Sequence, residues 1–236
     1  MKKIITISII SIFTLSISAQ SLLPKKYGVK FGINSSILNS TSNDGVENLN
    51  ISSSIGVIGG FYMQIPLNDI WYINTELLYT ERGGSFNFNY VHDYAPLNSR
   101  DEYSTKNTLK LSYVDFNPTL SFKNSEKLAL NIGPSLSFLI SEAYTFSEEK
   151  IKGDSSIVNT LDDAIYESES LNVGLNFGLS FYVNESFLLD ANINAGLMSI
   201  GTITKETQLP SFGNLEKSNI YELSNYNFII AFAYLF

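Results

Sequence analysis

The sequence predicts an all-β protein: an eight-stranded antiparallel transmembrane β-barrel, an up-and-down meander preceded by a cleavable signal peptide. Three observations carry this. Apolar residues recur at every second position in successive segments, the connections between segments alternate short and long, and aromatic residues gather where segments meet the short turns. Only 16% of the 236 residues are charged, below the roughly 25% usual for soluble chains, yet mean hydropathy is just +0.05. Beyond the N-terminus no run approaches the roughly 18 apolar residues of a spanning helix, so a helical membrane protein is excluded.

The first element is an address. Lys2 and Lys3 precede an Ile-rich stretch from Ile4 to Ile17, which gives way to Ser18, Ala19 and Gln20. Basic start, apolar middle and small residue at the cut are the three parts of a secretory signal peptide. Residues 1–19 are therefore expected to be removed after Ala19, leaving residues 20–236 as one exported barrel domain. The formal charge of -8 then becomes -8 minus 2, or -10.

The strands follow in order. From Tyr27 to Ser35, Tyr27, Val29, Phe31 and Ile33 oppose Gly28, Lys30, Gly32 and Asn34. Side chains alternate across a strand, so one face meets lipid and the other the lumen. From Ile55 to Ile65 the outer set is Ile55, Val57, Phe61, Met63 and Ile65, with Ile58 and Gly59 as exceptions. Trp71, Ile73, Thr75, Leu77 and Tyr79 oppose Tyr72, Asn74, Glu76 and Thr80. Between Leu109 and Phe122, Leu111 and Tyr113 share a parity that Val114, Phe116, Leu120 and Phe122 do not. A bulge near Tyr113 would reconcile them, and Pro118, which cannot donate to a ladder, favours local irregularity.

Leu128, Leu130, Ile132, Leu136, Phe138 and Ile140 form the next outer set. The clearest segment is Leu171 to Val183, where all odd positions are apolar and the even ones are Asn, Gly, Asn, Gly, Ser and Tyr. Phe187, Leu189, Ala191, Ile193, Ala195 and Leu197 follow. The last set is Tyr226, Phe228, Ile230, Phe232, Tyr234 and Phe236.

Short turns fall at Pro66 to Asp69, Lys123 to Lys127 and Asn184 to Ser186. Long polar connections are expected at about 37–53, 84–107, 142–169 and 200–219. With both chain ends on one side of the membrane, every long loop projects from the other, as in outer-membrane barrels. A soluble β-sandwich shares the alternation, but needs neither this rhythm nor the aromatics Tyr27, Trp71, Phe122, Phe187 and Phe236 at strand ends. The expected location is the cell outer membrane, with its lipid as the first partner.

At the terminus, Phe232, Tyr234 and Phe236 place aromatics at alternate positions and close on a Phe. This looks like the C-terminal signal read by the barrel-assembly machinery, whose physical basis is addition of an edge strand to another sheet. The mature chain also resembles the PorT-like family of small outer-membrane β-barrels. The matching pieces are YGVKFGIN, GVIGGFYMQIPL, INTELLYTERGG, YVDFNPTLSF, LALNIGPSLSFLI and the closing AFAYLF, in order across nearly the whole mature chain. The family pattern often has an apolar-Pro pair where this chain has Asn117-Pro118. The resemblance implies eight strands. It assigns no activity to most members, and links one branch to protein secretion across the outer membrane.

Eight strands leave an interior that side chains fill, so a conducting pore is not expected. The inward set supplies the lumen charges Lys30, Glu76, Asp115 and Asp190, with Arg82 and Lys110 nearer the external rim. Lys30 is expected to pair with Glu76 or Asp190, because a charge away from bulk water is costly unless matched. No Cys is present, which excludes disulfides, thiolate metal sites and cysteine nucleophiles. No metal, cofactor or catalytic set is expected, and an acidic chain without a basic stripe excludes nucleic acid.

The sole histidine, His92, precedes Asp93 in the second long connection, near Ser85, Ser99 and Ser104. A rim-active enzyme would use such residues. The third connection concentrates charge: Glu142, Glu148, Glu149, Asp154, Asp162, Asp163, Glu167 and Glu169 against Lys150 and Lys152, or -8 plus 2, a local -6. The expected role is non-enzymatic, a barrel displaying external loops for envelope structure or interaction. The alternatives are an accessory of protein secretion or transport with an envelope or secretion partner, and the rim-active enzyme.

Overall fold

The computed structural model describes residues 26–42, 51–94, 99–123, 125–152, 164–207 and 217–236. The expected signal peptide, residues 1–19, lies outside them. The strands are β1 (Lys26–Ser42), β2 (Ile51–Pro66), β3 (Trp71–Tyr94), β4 (Ser99–Lys123), β5 (Leu128–Lys152), β6 (Ala164–Ser168), β7 (Leu171–Tyr182), β8 (Phe187–Gly196), β9 (Gly201–Thr207) and β10 (Lys217–Leu235).

Consecutive strands pair antiparallel around a ring of eight: β1, β2, β3, β4, β5, β7, β8 and β10, closed by β10 against β1. The final rungs join the chain end to the first strand, with Tyr27 N–H donating to the Phe236 carbonyl and Phe236 N–H to that of Tyr27. The two extra strands are not extra barrel staves. β6 leads into β7 after Glu169 and Ser170, and β9 continues β8 beyond Leu197–Ile200. The meander topology is thus as the alternation predicts.

The strands run far into the segments expected to be loops. β3 and β4 pair without a gap from Trp71 and Phe122 to Tyr94 and Ser99, so the connection expected at 84–107 is mostly a long hairpin. β1 likewise reaches Ser42, β5 reaches Lys152, and β9 with the start of β10 fills much of 200–219.

The reason is an inversion of polarity along each strand. On β10, Asn225 and Asn227 face inward while Tyr226, Phe228 and Ile230 are exposed. Four residues nearer the external end, Tyr221 and Leu223 are buried and Glu222 is exposed. β1 changes from inward Lys30 and Asn34 to inward Leu38, and β3 from Asn74 and Glu76 to Phe86. Below the inversion the apolar face meets lipid. Above it the barrel stands in water and turns its apolar face inward, where Leu38, Phe86, Leu109, Leu111, Ile203 and Leu223 form a core. Each such side chain contributes about 1.5–3 kcal/mol relative to exposure.

This corrects the expected bulge in β4. The strand keeps one parity from Asn107 to Ser121, and Leu111 and Tyr113 are inward because they belong to the upper core. An irregularity does lie at this level, but the extra residue is on β5: Ser112 pairs with Ser141 and Tyr113 with Leu139, skipping Ile140. Lys110 is consequently exposed on the outer face rather than inward. The Ile58 exception on β2 has a different account: at the level of the lipid band Ile58 packs inside the lumen with Leu78, Ile229 and Ala231.

The lipid-facing band has the height a bilayer demands. Ten residue steps from Tyr226 to Phe236, at about 3.4 Å each and a tilt of about 40°, give roughly 26 Å. Its lower border is aromatic: Trp71 lies 4.9 Å from Phe122 between ring centroids, and Phe187 lies 5.2 Å from Tyr234.

Candidate functional site

Lys30 owes its place to small neighbours. Gly28 and Gly32 share its inner face, and its register partners on β2 and β10 are Gly60 and Ala233. A Cβ at Gly32 would collide with the Ile230 carbonyl and Ala231, so the glycine lets β10 lie close against β1 beside the lysine. The lysine side chain reaches from β1 into the lumen. Its Nζ lies 2.6 Å from Glu76 Oε1 on β3 and 2.7 Å from Asp190 Oδ2 on β8, all three buried. One cation therefore ties together strands on both sides of the barrel closure.

Asp190 also ends a chain of hydrogen bonds that circles the lumen. Gln64 Nε2 donates to Asn74 Oδ1 (3.2 Å), Asn74 Nδ2 to Ser121 Oγ (2.5 Å) and Ser121 Oγ to Asn131 Oδ1 (2.5 Å). Asn131 Nδ2 donates to Ser180 Oγ at 2.6 Å, and Ser180 Oγ to the Asp190 carboxylate. The chain passes through β2, β3, β4, β5, β7 and β8, and each of its six side chains, taken away from bulk water, meets a partner in the next. Gln64 Nε2 also donates to the Tyr182 hydroxyl at 2.7 Å, where Tyr62, Tyr182, Leu188 and Leu235 pack across the periplasmic end.

Asp115 is not part of the Lys30 centre. It pairs with Arg82, whose Nη2 lies 2.7 Å from Asp115 Oδ2 and donates to Ser137 Oγ at 3.1 Å. The guanidinium carbon sits 4.6 Å from the ring centroid of Tyr113, a cation–π contact with a member of the upper core. Arg82 is thus buried and matched, which its expected position nearer the rim did not indicate.

Around the Lys30 centre the lumen has about 20 Å³ of room, enough for about one water. Among the described residues no group of three or more His, Asp or Glu could hold a metal. His92 stands opposite Asp101 in the β3–β4 hairpin. Phe232, Tyr234 and Phe236 lie on the lipid face at the periplasmic border, with Tyr234 and Phe236 rings 6.3 Å apart.

Among the described residues the external half of the ring is open on one side. β5 pairs with β4 as far as Lys152, but with β7 only to Phe138 opposite Leu171, followed by a Leu139 N–H to Ser170 carbonyl bond. Among the described residues β6 pairs with β9 alone. Across the seam the rings of Tyr144 and Tyr166 stack at 6.3 Å and 25°. Tyr144 donates to Asn107 Oδ1 at 2.6 Å and Tyr166 to the Ile200 carbonyl at 3.2 Å.

A closed ring of eight strands, a lipid-facing apolar band with an aromatic border, and a polar filled interior define a small outer-membrane β-barrel. The chain belongs to the outer membrane protein beta-barrel domain family, whose model matches residues 19–201. It is an outer-membrane protein. Solved structures similar to it include Ail, the attachment invasion locus protein of Yersinia pestis, at 10% identity and TM-score 0.38, over 91% of this chain and 100% of that one. The outer membrane protein OprG of Pseudomonas aeruginosa is 12% identical with TM-score 0.42, over 89% and 95%. The outer membrane protease OmpT of Escherichia coli is 10% identical with TM-score 0.40, over 92% and 100%. No curated protein sequence matches this chain.

Proposed function

We propose that this chain is a non-enzymatic outer-membrane barrel whose lumen is a structural core and whose external extension is its working surface. The observation that carries the reading is the filling of the lumen. The Tyr62–Tyr182 layer, the Lys30 centre, the Arg82–Asp115 pair and the upper apolar core follow one another from the periplasmic end outward. Among the described residues such a stack fills the lumen level by level, while the strands above the lipid extend the barrel into a platform for envelope partners. Planar-bilayer recording tests it: the purified barrel should insert without conductance steps, and stable channels would overturn the reading.

A second reading, an accessory of protein secretion, is supported by the order of PorT-like segments along the chain. Deleting the gene separates the two. Loss of exported surface proteins from the envelope favours the accessory role, and an altered envelope or adhesion with normal export favours the display role.

A further inference from the structure

An unpaired strand edge is a template for another strand, and folded proteins usually cover or shorten it. Here one is held open. From Ile140 to Ala143 the side of β5 turned away from β4 has no strand beside it among the described residues, and β6 faces it across the seam. The stacked pair Tyr144 and Tyr166 joins the two edges, each ring fixed by the hydrogen bond of its own hydroxyl. The seam therefore has an aromatic bridge packed against the apolar core, beside main-chain groups of β5 that no described strand pairs.

Its lips are acidic. Glu142 is exposed on β5, and Glu167 and Glu169 are exposed at the end of β6. Burial, then the charges of Tyr113, Glu142 and Glu169, push the Tyr166 phenol up, so two of these acids act on the bridge itself. A second copy of this edge would set acid against acid, and like charges across a strand pair destabilise it.

We infer that the seam is a docking edge for an extended, basic segment of a partner protein. The segment adds as a strand to β5, places alternate side chains over Tyr144 and Tyr166, and sets Lys or Arg against Glu142, Glu167 and Glu169. This rests on the reading of the external extension as the working surface.

The test uses the full barrel in nanodiscs with short synthetic peptides of alternating Lys and Val, or alternating Glu and Val. The Lys peptide should bind, slow hydrogen exchange at Ser141 to Ala143, and lose affinity as salt rises. The combined Glu142→Gln, Glu167→Gln and Glu169→Gln variant should bind about tenfold more weakly, since each exposed pair adds only a fraction of that factor. Because the chain has no cysteine, Ala143→Cys with Glu167→Cys allows the seam to be bridged by a bismaleimide, which should abolish binding in an otherwise folded barrel. Equal protection by the Glu peptide, unchanged exchange at Ser141 to Ala143, or self-association of the barrel through this edge would each overturn the inference. Conductance on the same preparation reads the broader proposal separately: a silent barrel without peptide protection sinks only the seam.

Discussion

Lys30 Nζ lies 2.7 Å from Asp190 Oδ2 and joins the first strand to β8 across the lumen, with β10 between them in the sheet. The same ammonium holds Glu76 on β3, so a single side chain braces both flanks of the seam at which the barrel closes. Lys30→Met leaves two buried carboxylates without their cation. A loss of about 3–5 kcal/mol is expected in urea unfolding from lipid vesicles. Adding Glu76→Gln and Asp190→Asn should recover most of it, because the uncompensated charge is then gone.

Arg82→Leu should be similarly costly, by about 3–5 kcal/mol, since it strands Asp115. The combined Arg82→Leu and Asp115→Leu change should cost much less. A double-mutant cycle with Lys30→Met should be nearly additive, because the two centres share no hydrogen-bonding partner.

The polarity inversion makes opposite predictions for outward positions on one strand. Ile230→Arg, in the lipid band, should cost about 2–4 kcal/mol. Glu222→Arg, outward but above the lipid, should change stability by less than about 0.5 kcal/mol. Equal costs in vesicle unfolding would mean that Glu222 also lies in the bilayer.

Tyr166→Ala should loosen the external half and leave the membrane half intact. Added protease should cleave the external half faster, while the urea midpoint of the lipid-embedded barrel stays put. Tyr166→Phe keeps the stack and loses only the bond to Ile200, so cleavage should fall between wild type and Ala.

Phe236→Ala preserves the closing backbone rungs with Tyr27. Stability of the refolded barrel should fall by no more than about 1 kcal/mol. The amount assembled in cells should fall several-fold if the terminal aromatics are read during assembly. A parallel fall in both would assign Phe236 to packing alone.

Much of this was legible from alternation. The stretch Leu171 to Val183 needs no tertiary information, because every odd side chain meets lipid and every even one the lumen. Leu111 and Tyr113 were harder. Their parity looks like a slip only if the outside is lipid along the whole strand, and local pattern does not mark where lipid ends. The extra residue at Ile140 is invisible for the same reason, since Phe138, Leu139 and Ile140 form an apolar run whose parity can be read either way.

The Lys30 pairing followed from the cost of an unmatched cation, but Arg82 with Asp115 required the β3–β4 register. The Gln64, Asn74, Ser121, Asn131 and Ser180 chain passed as ordinary lumen polarity. A signal for it exists: each of the five lies within a few residues of a short turn or strand start at the periplasmic end, which puts them at one level.

The inversion of polarity also fixes a height. Sliding the barrel outward would bring lipid-facing residues such as Tyr226 and Phe228 into water, and sliding it inward would press Glu222 and Glu81 into hydrocarbon. The bilayer thus acts as a clamp on an engraved scale. The acidic seam stands at a constant elevation above the cell surface, however the loops beyond it vary.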